Sequence, residues 1–265
     1  ADTIRWYLPY VSPVWTPIKF DEDGLKEVYS KFFNTLKNTY NFFALYANTD
    51  EVDARELKVR YNSLDEIDKW LLSKYNKLVK YVTEAYEEYD LNKVVRSITD
   101  FVSEDLSNWY IRRNRRRFWA HDLDTSKKAV YQTTYDVLVG LTKLIAPVVP
   151  FISEEIYTAL TEKESVHLAS FPKCNEKMIK EDIEKKMDLV RSLISLGRNV
   201  REEAKIKVRQ PISEAIIDGK NEEIIGDLTD LIKEELNVKK ITFADDLSVY
   251  MNYEVKPNFK VCGPI

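Results

Sequence analysis

The chain has 265 residues, with 40 Lys or Arg against 44 Asp or Glu and a formal net charge of −4. A hydrophobic share of 44% can build a core, which excludes wholesale disorder, and 32% charged residues fits a well-solvated helical surface. Six glycines without a G-x-G-x-x-G or Walker A loop argue against a glycine-cradled nucleotide site, and no apolar run approaches the about 20 residues that cross a bilayer.

Residues 1–23 read as an irregular connector, in which Pro9, Pro13 and Pro17 alternate with Trp6, Tyr7, Tyr10 and Trp15 up to Asp23-Gly24. Leu25, Val28, Phe32, Leu36, Tyr40 and Phe43 then keep the three-to-four spacing of a helix face. The acidic stretch 50–60 reads as a loop. Ser63 with Glu66 has capping-box spacing for a second helix, whose stripe is Ile67, Leu71, Leu78, Val82, Ala85 and Tyr89. Asp90 caps a third helix. A fourth begins at Thr125 or Ser126 on Val130, Thr134, Val137, Leu141 and Leu144 and stops at Pro147 and Pro150, and a shorter helix runs from Phe151 to Leu160. Short loops between such helices give an antiparallel up-down bundle. After a break at 163–175, a long helix from about Glu181 to Ala204 carries Leu189, Leu193, Leu196, Val200 and Ala204 on one side. Ile212–Ile217 and Val238–Phe243 read as strands around a helix from Asn221 to Glu235. Strict alternation over 247–255 adds a third strand after a turn at Ala244-Asp245-Asp246. The expected fold class is therefore mainly α: an antiparallel helical bundle (24–172), then a long helix and a small α/β subdomain of βαββ order (173–265), with 1–23 as the connector.

Cys174 and Cys262 form no C-x-x-C pair, which disfavours a disulfide framework or a cysteine zinc site and fits a reducing compartment. His121 and His167 have no partner at ligand spacing and read as structural or surface residues. No nucleophile elbow or acid–base constellation stands out, so no catalytic residue is expected.

The segment Asp105–Trp119, DLSNWYIRRNRRRFW, holds five of the thirteen arginines within Arg112–Arg117. At about 100° per residue, Val94, Val95, Ile98, Phe101, Val102, Leu106 and Trp109 share one helix face, and Arg112, Arg113, Arg116 and Arg117 continue it. Either the helix outruns the bundle and its arginines pair with nearby carboxylates, or the face meets an anionic partner. Arginine binds phosphate bidentately and stacks on bases, and Trp109 beside it would serve as a stacking platform or a packing anchor. Tyr110, Ile111 and Phe118 project elsewhere and read as packing. A second, weaker basic run holds Arg198, Arg201 and Arg209, diluted by Glu202 and Glu203.

The run LSNWYIRRNRRRFW closely resembles the anticodon-binding helical domain of class I aminoacyl-tRNA synthetases in its isoleucyl form. DTIRWYL at 2–8, KFFNTLKNTYNFFALYAN at 31–48, PFISEEIY at 150–157, SVHLASFP at 165–172 and IKVRQPI at 206–212 are similar to further landmarks of that family, in its order. The signatures H-I-G-H and K-M-S-K-S are not in the sequence. The resemblance implies a C-terminal part that begins past a catalytic core and recognises the anticodon stem-loop of isoleucine tRNA, with no bond chemistry of its own. ATP and magnesium would be the parent enzyme's cofactors, with none held by this part. It further implies a cytoplasmic monomer without membrane contact, with Trp109, Arg112, Arg113, Arg116 and Arg117 as tRNA contacts and Arg198, Arg201 and Arg209 as secondary candidates. A valyl-enzyme part and a helical protein-interaction scaffold are the rival readings.

Overall fold

A computed structural model describes residues 1–250. The chain divides into two compact units, one spanning Ala1–Glu184 and one starting at Lys185.

The first unit is helical. The expected irregular connector is helical in its first part, where α1 spans Asp2–Val11 with Pro9 inside it, and irregular over 12–21. Periodicity alone misses this helix because its partners are distant in sequence. The Trp6 indole is fully buried and stacks on Phe32 at 4.1 Å, and its N–H donates to the Thr99 hydroxyl at 3.0 Å. Asn92 and Arg96 donate to the carbonyls of Pro9 and Tyr10 at 2.6 and 2.9 Å. These side chains satisfy acceptors that a helix C-terminus leaves open. The Asp2 carboxylate accepts from the Ile152 N–H at 2.8 Å, which ties the start of α1 to a later helix.

The expected first bundle helix is α2 (Glu22–Val28) and α3 (Thr35–Thr49), joined through a π-helical stretch Tyr29–Asn34. Its cap is Asp21, whose carboxylate accepts from the Asp23 and Gly24 N–H groups. After the loop comes α4 (Glu66–Glu87). Its capping box is Asp65 with Asp68, two residues beyond the expected Ser63 and Glu66. The stripe Leu71, Leu78, Val82 and Ala85 is buried, whereas Tyr89 lies past the helix at φ 58° and is exposed. The next helix runs as α5 (Leu91–Asp100), a π-helical stretch Phe101–Ile111 and α6 (Arg112–Trp119). Helix α7 (Thr125–Ile145) buries all of Val130, Thr134, Val137, Leu141 and Leu144. Pro150 does not only stop it but opens α8 (Pro150–Thr161), at a position where its missing N–H costs nothing.

The second unit contains most of a long helix, Glu181–Glu203, and a parallel two-stranded sheet. The buried side of that helix is Met187, Val190 and Ile194, not the expected leucine stripe: Leu196 and Val200 are exposed. At Gly197 the close packing is against Leu236, whose Cδ1 would stand 2.5 Å from any added Cβ. Strands β1 (Ile212–Asp218) and β2 (Val238–Ala244) pair from Ile212↔Val238 to Asp218↔Ala244, and an interrupted helix ending at Leu236 makes the crossover. Parallel pairing needs such a crossover, so this part of the βαββ expectation holds. Of the third strand, Ser248–Tyr250 is instead a 3₁₀ turn, and 251–255 lies outside the described residues.

Candidate nucleic-acid interface

The arginines ride on one continuous helix, the one built from α5, the π-helical stretch and α6. Asp90 starts it, its carboxylate accepting from the Lys93 N–H at 3.1 Å as expected. The apolar face from Val94 to Trp109 is buried as projected. Its cationic continuation is not. A π-turn closes on the fifth residue rather than the fourth, so each turn lags behind the α-helical phase. The core side therefore rotates onto Tyr110, Ile111, Asn114 and Phe118, all buried, and the arginines move to its flanks. The Phe118 ring meets Phe42 and Tyr131 edge-on at 5.1 Å.

Two ion pairs, one built on a buried aspartate and one on a buried lysine, hold this helix in place. The first is Arg117 with Asp68. Nη1 and Nη2 donate to the two carboxylate oxygens at 2.7 and 2.8 Å, and Nη2 also donates to the Ser126 carbonyl at 2.6 Å. The Tyr110 hydroxyl donates to the same carboxylate at 2.6 Å, and Asp68 has no exposed side-chain surface. A bidentate guanidinium–carboxylate contact fixes orientation as well as distance. Burial opposes the charge on Arg117, yet the facing Asp68 carboxylate outweighs it and raises the guanidinium pKa. Burial, with the same carboxylate, pushes the Tyr110 phenol well above its ordinary range and keeps it a donor.

The second pair is Lys127 with Asp50, at 2.7 Å, with Lys127 only 2% exposed. Its ammonium also donates to the Ala120 carbonyl at 2.5 Å, at the C-terminal end of α6, where a cation complements the helix dipole. The Tyr131 hydroxyl donates to Asp50. Burial raises the Asp50 carboxyl, but the Lys127 ammonium and Tyr131 hydroxyl prevail and leave its pKa below the ordinary value.

The candidate residues thus separate. Arg112 lies at the flank, its Nε donating to the Asn108 carbonyl at 2.8 Å and its guanidinium 5.9 Å from the Trp109 ring centre. Trp109 is 6% exposed, its ring buried on the core side of the helix. Arg113 is half-buried and Arg116 exposed. Arg117 is pulled inward and orients the helix rather than presenting its guanidinium to solvent. Exposed beside the set, and not singled out by the sequence, are Arg115 and Trp119. Asp68 and Lys127 also escaped sequence reasoning. The Asp65-x-x-Asp68 spacing was the available signal for the first; a lysine inside a helical stripe gives none.

The secondary candidates all lie in the other unit. Arg201 is 4% exposed and donates to the Lys207 carbonyl at 2.6 Å and to that of Gln210, clasping the loop after the long helix. Its burial sets it apart from the other two candidates, which keep exposed surface. Arg198 pairs with Glu235, whose carboxylate is buried. Arg209 is exposed. Among the described residues, no three His, Cys, Asp or Glu side chains are grouped to hold a metal ion, and no helix is long and apolar enough to cross a membrane.

Comparison with known proteins gives this geometry a context. The family model for the anticodon-binding domain of tRNA ligase matches residues 68–217, which begins at Asp68 and takes in the whole arginine helix from that point of the chain onward. Isoleucine–tRNA ligase of Clostridium novyi (strain NT) is 44% identical over 99% of this chain, and that of Porphyromonas gingivalis 41% identical over all of it. The chain spans 26% and 24% of their lengths, about a quarter of each. Among solved structures, a ternary complex of Agrobacterium radiobacter K84 agnB2 LeuRS with tRNA and LeuAMS superposes with a TM-score of 0.51. It is 17% identical and covers 68% of this chain and 20% of that one, a likeness of fold.

Proposed function

The chain belongs to the family of anticodon-binding domains of tRNA ligases, and from that premise we propose that its helical unit holds the anticodon stem-loop of isoleucine tRNA for an isoleucine–tRNA ligase. The observation that carries the reading is the arginine helix: five arginines in six residues, inside the family match, on a helix pinned by the Arg117–Asp68 and Lys127–Asp50 ion pairs. Arg112, Arg113 and Arg116 are the proposed contacts to phosphates and unstacked bases, with Trp109 as the anchor under Arg112. Arg117 and Lys127 are positioning residues. A guanidinium offers bidentate donors to phosphate and a flat face to a base, and the unpaired bases of a loop expose edges that a duplex hides. A rigid cationic helix loses little entropy on engaging such a loop.

Residues 24–172 are the part assigned to the stem-loop, and 173–265 an adjoining subdomain. The longer enzyme would join isoleucine to its tRNA at the expense of ATP, acting as a cytoplasmic monomer. ATP and magnesium would serve that enzyme, with neither held by this part of it. The test is binding of the 265-residue chain to isoleucine tRNA, to the same tRNA with a changed anticodon, and to valine tRNA. The first should bind tightest, with affinity falling steeply as salt rises. Equal affinity for the three at physiological salt would contradict specific recognition.

A further inference from the structure

A second concentration of positive charge lies in the helical unit, in different surroundings. A cleft of about 420 Å³ opens between the chain at Glu56–Arg60 and the start of α7, and Lys58, Arg60 and Lys128 line it. None of these three cations has an ion-pair partner among the described residues. Their neighbours behave otherwise: Arg55 bridges Asp53 and Glu162, Lys127 meets Asp50, and Arg117 meets Asp68. One carboxylate, Glu56, lines the cleft. In a chain with more acidic than basic residues, three uncompensated cations converging on one cleft form a local field that its own side chains do not cancel.

The wall is built rather than incidental. Gln132 of α7 accepts from the Val59 N–H at 2.7 Å and donates back to the Val59 carbonyl at 3.4 Å, holding Lys58 and Arg60 on either side of a fixed residue. Asp124 already caps α7, accepting from the Lys127 N–H at 2.7 Å, so the attraction comes from the side-chain cations and not from a bare helix end. The cleft also adjoins the arginine helix. Ser126, one residue from the lining Thr125, receives Arg117 on its carbonyl and donates from its hydroxyl to Asp65 at 2.9 Å.

We propose that this cleft grips the sugar-phosphate backbone of the RNA that the arginine helix reads, a proposal that rests on the anticodon-binding function above. No aromatic side chain lines the cleft, so it offers a base nothing to stack on, while open cations suit phosphates irrespective of sequence. The arginine helix then supplies recognition and the cleft supplies sequence-independent hold and register.

The experiment compares the full chain with a Lys58→Gln, Arg60→Gln, Lys128→Gln variant, measuring affinity for isoleucine tRNA and its anticodon-changed form from about 50 to about 200 mM salt. The slope of log affinity against log salt should become shallower by roughly 2–3, at about 0.7–0.9 for each phosphate that is no longer neutralised. Both tRNAs should weaken by the same factor, so their affinity ratio is preserved. An unchanged slope in a variant whose parent binds tRNA overturns the cleft assignment alone, as does a collapse of the ratio. A parent chain that binds no tRNA overturns the anticodon reading and the cleft with it. Displacement of the RNA by a short phosphoserine peptide, at the same concentration as by an RNA hairpin of unrelated sequence, would reassign the cleft to a phosphoprotein.

Discussion

The two basic runs look alike on paper and are held differently. In the helical unit, the inward arginine of the run, Arg117, faces a buried carboxylate, and its bonds hold a cationic helix against the bundle. In the second unit, Arg201 faces main-chain carbonyls, and its bonds close a loop. In each case an inward arginine is spent on the fold and is less available to a partner, whereas Arg115 and Arg116 in the first run and Arg209 in the second lie exposed. An arginine cluster is thus read correctly only once its inward member is identified.

Breaking the first clasp should cost most. Asp68→Ala strips the Arg117 guanidinium of its bidentate partner, leaving only the half-exposed Asp65 carboxylate at 3.2 Å, and takes an acceptor from the buried Tyr110 hydroxyl; it should destabilise the chain by about 3–5 kcal/mol, seen as a lower denaturation midpoint. A variant as stable as the parent would mean that Arg117 relaxes into solvent and pins nothing. Arg201→Ala removes a donor from several carbonyls at once and should cost about 1–3 kcal/mol. Because the clasp is local, hydrogen exchange should accelerate around 204–211 while the α4 core keeps its protection.

The sequence made the bundle legible because helix stripes such as Val130–Leu144 repeat locally, and Asp90 announces its helix through its own side chain. It hid α1, since Trp6 packs on Phe32 and Thr99, partners that no local periodicity encodes. The arginine segment was found from composition, but its facing was not. Projection at the α-helical angle fails across 101–111, and nothing in FVSEDLSNWYI marks it as π-helical. Asp68 and Lys127 stayed hidden for a related reason: their partners lie 49 and 77 residues away in sequence, and a charged residue inside a stripe reads as surface until its partner is located.

A smaller effect separates the Asp50–Lys127 pair. The folded-state carboxyl pKa of Asp50 lies below its unfolded value of about 3.9. The unfolded chain therefore binds the proton more readily, so the pair's stabilisation is present above about pH 4 and is lost as pH falls through the folded pKa. In urea titrations from about pH 6 to about pH 2, Lys127→Met should lack that component, so its loss of stability on acidification should be shallower than the parent's. Parallel curves would remove Lys127 as the cause. Smallest of all, Arg115→Gln and Arg116→Gln alter exposed side chains and should shift stability by no more than about 0.5 kcal/mol.

In the proposed division of labour, the outward arginines recognise an RNA loop while the inward one holds their helix. Its most direct measurement is tRNA affinity for an Arg112→Gln, Arg116→Gln variant against the parent chain, on isoleucine tRNA and its anticodon-changed form, with unfolding curves for both proteins. The expected result is an unchanged midpoint, at least roughly tenfold weaker binding to isoleucine tRNA, and a smaller loss on the altered tRNA, so that the two affinities converge. Unchanged affinity with the parent's discrimination intact would contradict it.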